Sequence, residues 1–243
     1  MGLLGLIGRN RKSLVVFSFM EPENLQFSIF NFQFSCFFQK FSLCLHLIMQ
    51  RWKRALVWLG RIGHCRGFGV QSPTDYRFVR YVINEHAPYY AYDDLARRLP
   101  DLDGQTRKMC KLYFRLSNYC QAVNFIDVMP THEAYGIYVN AACHKTQTLA
   151  LHPQDEVMAI LDTPFLARAR CCEDNIEVMR RLLEQADDRS VVVVEGIKES
   201  KQSKACWEAL LAAEQATVTY DLYYCGIIIT TKKRYKKNYI INF

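Results

Sequence analysis

The stretch "SVVVVEG" (Ser190 to Gly196) constrains the fold more than any other part of the chain. Valine branches at Cβ, which restricts χ1 and favours extended backbone, and an unbroken run of it presents no polar face to water. Such a run belongs in a central strand buried on both sides, so the sheet that holds it needs helices on each face. The neighbouring sequence supplies them. "NFIDVM" reads as a strand, "EAYGIYVNAAC" as a helix, "TLAL" and "VMAILD" as strands, "EDNIEVMRRLLEQA" as a long helix and "SKACWEALLAA" as another. Strands alternating with helices predict an α/β domain with a mostly parallel sheet. The end differs: "ATVTYDLYYCGIIITTKKRY" reads as two strands about a tight turn near Cys225 and Gly226, an antiparallel β-hairpin, with a last short strand in "YIINF".

One connection conflicts with this pattern. A parallel crossover needs about a dozen residues, yet only "HPQDE" separates "TLAL" from "VMAILD". Either the two form a hairpin, or one of them is not a strand, or a strand-helix unit has been deleted. Deletion is the preferred reading.

Ahead of the alternating half, "YRFVRYVINEH" predicts a helix stopped near Pro88, and "RKMCKLYFRLSNYC" another that ends just before the first strand. "MQRWKRALVWLGRIG" (Met49 to Gly63) places Trp52, Leu56, Leu59 and Ile62 on one helical stripe, with Arg51, Lys53, Arg54 and Arg61 largely off it. Packing onto the domain is the usual role of such a stripe, and a membrane surface is the alternative. Residues 1–48 are different in kind. Gln33, Gln39, Lys40 and His46 interrupt the phenylalanine-rich "FSIFNFQFSCFFQKFSLCLHLIM", where a membrane span needs about 20 mainly apolar residues. Glu21, Pro22 and Glu23 split the apolar patches in a way that a secretory signal would not. The segment reads as an extension outside the fold, either from a start assigned upstream of Met49 or as a loosely membrane-associating piece.

The chain of 243 residues, with a hydrophobic share of 50%, has the size of one α/β domain with appendages. Its formal charge of +7 gathers partly in "RWKR" with Arg61 and Arg66, and partly in "KKRYKK" (Lys232 to Lys237). Such clusters are usually solvated faces, which argues against a nucleic-acid partner. The ten cysteines show no CxxC pair and no regular spacing with histidine, a pattern of reduced thiols in a cytoplasmic protein rather than of a zinc site. There is no G-x-S-x-G elbow, P-loop or H-E-x-x-H helix.

Two segments carry a resemblance. "GVQSPTDYRFV" resembles the "GVHSPF" opening of a bacterial family similar to class I S-adenosylmethionine-dependent methyltransferases, and "ATVTYDLYYCGIIITTKKRYKKNYIINF" looks like that family's closing hairpin and terminal strand. The resemblance covers about residues 67 to 243. It implies a Rossmann-like methyltransferase fold missing one strand-helix unit, with 49–120 as a helical N-terminal region and 121–243 as the methyltransferase domain. It also places "FIDVMPTHEAYGIY" where the family has its acidic, glycine-rich cofactor loop, and "ILDTP" and "VVVVEGIKES" where it has two carboxylate-bearing strand ends.

Read through that resemblance, Asp127, Gly136 and His152 become the cofactor-binding candidates, and Asp162 and Glu195 the ligands of a divalent metal. Met129, Thr131 and Glu133 stand in the loop where glycines would let the backbone approach S-adenosylmethionine. His152 stands where a carboxylate would accept the ribose hydroxyls, and Gly196 where a second metal ligand is expected. These departures weigh against both cofactor and metal. Three readings follow: a methyltransferase acting on a small molecule or protein, a non-catalytic scaffold that binds a partner, and a membrane-surface protein using the Met49 to Gly63 helix and the basic tail. The scaffold reading carries the expectation that Asp127→Ala changes stability little.

Overall fold

The computed structural model describes residues 49, 52–154, 164–231 and 234–243. Cα packing divides the chain into two units, Met1–Leu56 and Val57–Phe243. In the first, residues 52–56 are helical. The second opens on residues 57–60, also helical and here α1, followed by a 3-10 segment, Ile62–Gly67. Then come α2 (Pro73–Phe78) running into a π-helical turn (Val79–Ile83), α3 (Ala91–Arg98) and α4 (Gly104–Cys120). The alternating half contains β1 (Asn124–Val128), α5 (Ala134–Ala142), β2 (Gln147–Leu151), β3 (Phe165–Arg170), α6 (Glu173–Gln185), β4 (Val191–Glu195) and α7 (Lys201–Ala212). It closes with β5 (Val218–Asp221), β6 (Cys225–Ile229) and β7 (Lys237–Ile240).

The seven strands form one sheet in the order β2-β1-β3-β4-β6-β5-β7. β1 is parallel to β2 and β3, β3 to β4 and β5 to β7, whereas β6 is antiparallel to both its neighbours. Every strand except β6 therefore runs the same way, the mostly parallel α/β sheet expected. The hairpin forms, but its turn lies at residues 222–224, and Cys225 and Gly226 belong to β6. The second arm of the hairpin is inserted between β4 and β5, and β7 forms the edge.

Val191 to Val194 are all fully buried, as their chemistry demands. Val191 and Val193 join one apolar cluster with Phe125 and Leu166 of the sheet and Leu112, Tyr113, Leu116 and Tyr138 of α4 and α5. Val192 and Val194 join another with Ile126 and Phe165, and with Met179, Leu182 and Trp207 of α6 and α7. Burial of each such side chain contributes about 1.5 to 3 kcal/mol. Helices α2 and α4 share the first cluster with the sheet, so the helical region before β1 is one of its covering layers.

Two elements lie outside the sequence expectations. The strand after β2 is Phe165–Arg170, parallel to β1 on the side away from β2. The segment "VMAILD" falls within 155–163 and lies outside the described residues, as does Asp162. The interval between Leu151 and Phe165 is long enough for the parallel return from β2 to β3. The other is α3, whose only buried residue is Leu95. At eight residues it is shorter than the stretch over which helical periodicity is read.

The basic clusters, expected as solvated faces, are partly structural. The Arg61 side chain is largely buried: its Nη1 donates to the Asp221 carbonyl (3.0 Å) and Nη2 to Asp221 Oδ1 (2.8 Å). Leu59 and Ile62 of the apolar stripe are each 56% exposed, so the end of the amphipathic segment is held by Arg61 and by Asn242, whose Nδ2 donates to the Trp58 carbonyl (3.1 Å), and not by its stripe. Arg234 from the basic tail donates to Asp75 (2.6 Å), a carboxylate only 1% exposed that also accepts from Tyr239 Oη (3.0 Å) and Tyr220 Oη (3.5 Å). The two segments that carry the family resemblance thus meet at Asp75. Tyr220 is fully buried and stacks on Tyr239 (centroids 5.5 Å apart), which makes it a core residue.

Candidate functional site

In an open parallel sheet, ligands enter at the carboxyl ends of the strands where the chain leaves one strand and returns on its other side. Here that point lies at β1, with β2 on one flank and β3 on the other. The loop leaving β1 turns sharply. Met129 has φ +52°, a left-handed conformation that favours glycine, and its N–H donates to the Leu151 carbonyl (3.0 Å). The turn expected of a cofactor loop is therefore made without glycine, and a methionine side chain stands at its apex.

The floor of the crevice is occupied by Arg168 of β3. Its side chain is 1% exposed. Nη1 donates to Asp127 Oδ1 (2.9 Å) and to the Met129 carbonyl (3.4 Å), and Nη2 to Glu195 Oε2 (2.8 Å) and Thr131 Oγ1 (2.9 Å). The guanidinium lies 4.9 Å from the centre of the Tyr135 ring. Tyr113 of α4 donates to the other oxygen of Glu195 (2.7 Å). One cation thus joins acids from β1 and β4, its two nearest acid-bearing strands, beneath an aromatic lid. Sequence reasoning missed Arg168 because nothing in "FLARAR", which also holds the exposed Arg170, distinguishes a buried arginine from a solvated one. The usable signal was the pairing of two acids at strand ends, which demand a buried cation.

Burial shifts these groups. It pushes the Asp127 carboxyl up, with the Arg168 charge opposing, and pushes the Tyr113 hydroxyl well up, reinforced by the adjacent Glu195. Burial also disfavours the Arg168 cation, but hydrogen bonding and attraction to Glu195 outweigh it and hold the guanidinium charged. Arg168 Nε finds no hydrogen-bond partner among the described residues.

The sequence candidates separate in this frame. Asp127 and Glu195 are brought together through Arg168. Gly136 lies in the first turn of α5, where an added Cβ would sit 3.1 Å from Thr148 Oγ1, so it allows α5 to pack on β2. His152 is exposed one residue beyond β2. Both oxygens of Glu195 accept protein hydrogen bonds, and no group of three His, Cys, Asp or Glu side chains among the described residues could hold a metal. The eight cysteines among the described residues are free thiols, and Cys171 donates to the Ser203 carbonyl.

Above Arg168 a shallow cleft of about 310 Å³ remains, lined by Thr131, His132, Tyr135, Glu195 and Gly196. Its rim is bridged by Arg170 and Glu199 (2.6 Å), and it is at the low end of the roughly 300–1,000 Å³ of ligand pockets. No helix among the described residues is long and apolar enough to cross a membrane. No protein-family model matches the sequence, and no curated protein matches it either.

Proposed function

We propose that the protein is a non-catalytic relative of class I S-adenosylmethionine-dependent methyltransferases, one that keeps the Rossmann-like sheet as a scaffold for binding a partner. The observation that carries this reading is Arg168. A methyl donor bound at the end of β1 would need Asp127 as an acceptor, and a metal would need Glu195 as a ligand, yet one internal guanidinium neutralises both. Support for the family comes from the antiparallel β6 inserted between β4 and β5 at the end of a mostly parallel sheet. The left-handed turn at Met129 is a conformation that favours glycine, as the family's cofactor loop would require there.

The test is calorimetric titration of S-adenosylmethionine and S-adenosylhomocysteine into the full chain, with and without magnesium. No heat on folded protein is the expected result. Micromolar binding, about 8 kcal/mol, would overturn the proposal and restore the enzyme reading.

A second reading rests on Trp58, Leu59 and Ile62. Exposed tryptophan and aliphatic side chains at helical spacing suit the headgroup region of an anionic membrane. Sedimentation with phosphatidylserine vesicles tests it, and binding that is indifferent to both salt and Trp58→Ser would rule it out.

A further inference from the structure

A second cavity, of about 360 Å³, lies between α4 and the segment that leaves the π-helical turn. It is remote in sequence from the strand ends that carry Arg168. Its floor is Arg115, a buried guanidinium whose Nε donates to the Val82 carbonyl (2.6 Å) and whose Nη2 donates to that of Ile83 (3.1 Å), the last carbonyls of the turn. Beside them Asn84 is only 8% exposed, yet its amide nitrogen finds no partner among the described residues. A buried amide left without a partner is destabilising, and a ligand acceptor in the cavity that Asn84 lines would relieve it.

The wall is α4. Lys108, Lys111 and Arg115 follow one another at spacings of three and four, on one helical face. The Lys111 ammonium lies 4.9 Å from the centre of the Tyr92 ring, and the Lys108 ammonium 4.0 Å from that of Phe243. Tyr92 is fixed in turn by Tyr89 and Phe114, at 5.3 and 5.1 Å between ring centres. Two ammonium groups, a buried amide donor and two flat apolar faces therefore line one cavity. Glu85 and Asp93 also line it, and Glu85 Oε1 accepts from the Ala87 N–H.

The geometry points to a binding site for a small aromatic anion: Lys108 and Lys111 swing off the Phe243 and Tyr92 rings they cover to hold its carboxylate or phosphate together with Asn84, and its ring is laid against the two faces so uncovered. The cationic side chains supply charge-assisted hydrogen bonds, and the aromatic faces supply stacking area. A bare inorganic anion gains only the first, and a neutral ring only the second.

Calorimetric titration of phenyl phosphate, inorganic phosphate and benzyl alcohol into the full chain tests this. The expected result is saturable binding of phenyl phosphate with Kd below about 1 mM, and binding of the other two weaker by about tenfold or more. Lys108→Gln combined with Lys111→Gln, and separately Asn84→Asp, should each raise the phenyl phosphate Kd by about tenfold or more. Thermal melting confirms that each variant is folded, and the lysine pair lies near enough to the surface to be replaced without loss of the core. No saturable heat with phenyl phosphate, equal binding of inorganic phosphate, or unchanged affinity in the lysine variant would each overturn the proposal.

Discussion

Arg168 stands directly across from Asp127 in the β1–β3 ladder, and its Nη1 donates to Asp127 Oδ1 at 2.9 Å. Strand pairing alone sets the two side chains side by side on one face of the sheet. The ion pair is thus built into the register, and a one-residue slip of β3 would put Arg168 among the apolar side chains of the other face.

Replacing Arg168 with Met leaves Asp127 and Glu195 without their shared cation. Breaking a buried pair in this way costs about 3 to 5 kcal/mol. Urea unfolding at neutral pH should show that loss, and Asp127→Leu in the same chain should recover much of it. A loss under about 1 kcal/mol would mean that water reaches the triad.

Asp127→Ala is, for the same reason, not the mild change that an idle acid at a strand end would allow. It strips Arg168 of one partner while Glu195 and Thr131 remain. The expected loss is about 1 to 3 kcal/mol, and equality with wild type in the same urea experiment would contradict the structure.

Met129→Gly tests the loop. A non-glycine residue in the left-handed region carries roughly 1 to 2 kcal/mol of strain, offset in part by the greater freedom of glycine in the unfolded chain. Met129 is 45% exposed, so little packing is lost. The variant should be as stable as wild type or up to about 1 kcal/mol more stable. It should still fail to bind S-adenosylmethionine, because Arg168 remains in the crevice.

At Gly226 the sign reverses. A Cβ built there would meet three atoms of the Trp207 ring at 2.3 to 2.6 Å, and that ring is buried under α7. Gly226→Ala should cost about 3 kcal/mol or more and shift the tryptophan emission as the ring is displaced. Unchanged emission and stability would show that α7 can move away freely.

Asp221 supplies the pH dependence. Burial pushes its carboxyl up, but hydrogen bonds from Lys198, Arg61 and the Tyr223 N–H pull it below the ordinary range. The unfolded chain therefore takes up the proton first as acid is added. The stability from this group is fully present above about pH 4, the ordinary carboxylate value, and is lost as pH falls through the depressed one. Acid unfolding of Asp221→Asn should be less steep in that window, and a profile parallel to wild type would exclude the assignment.

What was legible in the sequence follows the range of each interaction. Val191 to Val194 announce their strand because β-branching and hydrophobicity belong to the residues themselves. "FLARAR" does not, because Arg168 is buried only by virtue of acids 41 and 27 positions away. Asp127 and Glu195 could be picked out as acids at strand ends, but their common partner could not. Arg61 and Arg234 look like parts of solvated basic clusters until Asp221 and Asp75 arrive from the other end of the chain. Gly136 reads as a loop glycine, although its neighbour Thr148 makes it a contact between helix and strand.

Asp75 also has a consequence for how the chain is made. Its carboxylate is buried against Tyr220, Arg234 and Tyr239, which follow it by 145, 159 and 164 positions. At about 5 to 20 residues per second, a nascent chain carries Asp75 for roughly 10 to 30 seconds before its partners are synthesised. Throughout that interval, docking of α2 would bury a lone negative charge, so the helix is kept in water. The part of the first apolar cluster that Phe78 and Val79 contribute therefore closes only after the last strands emerge.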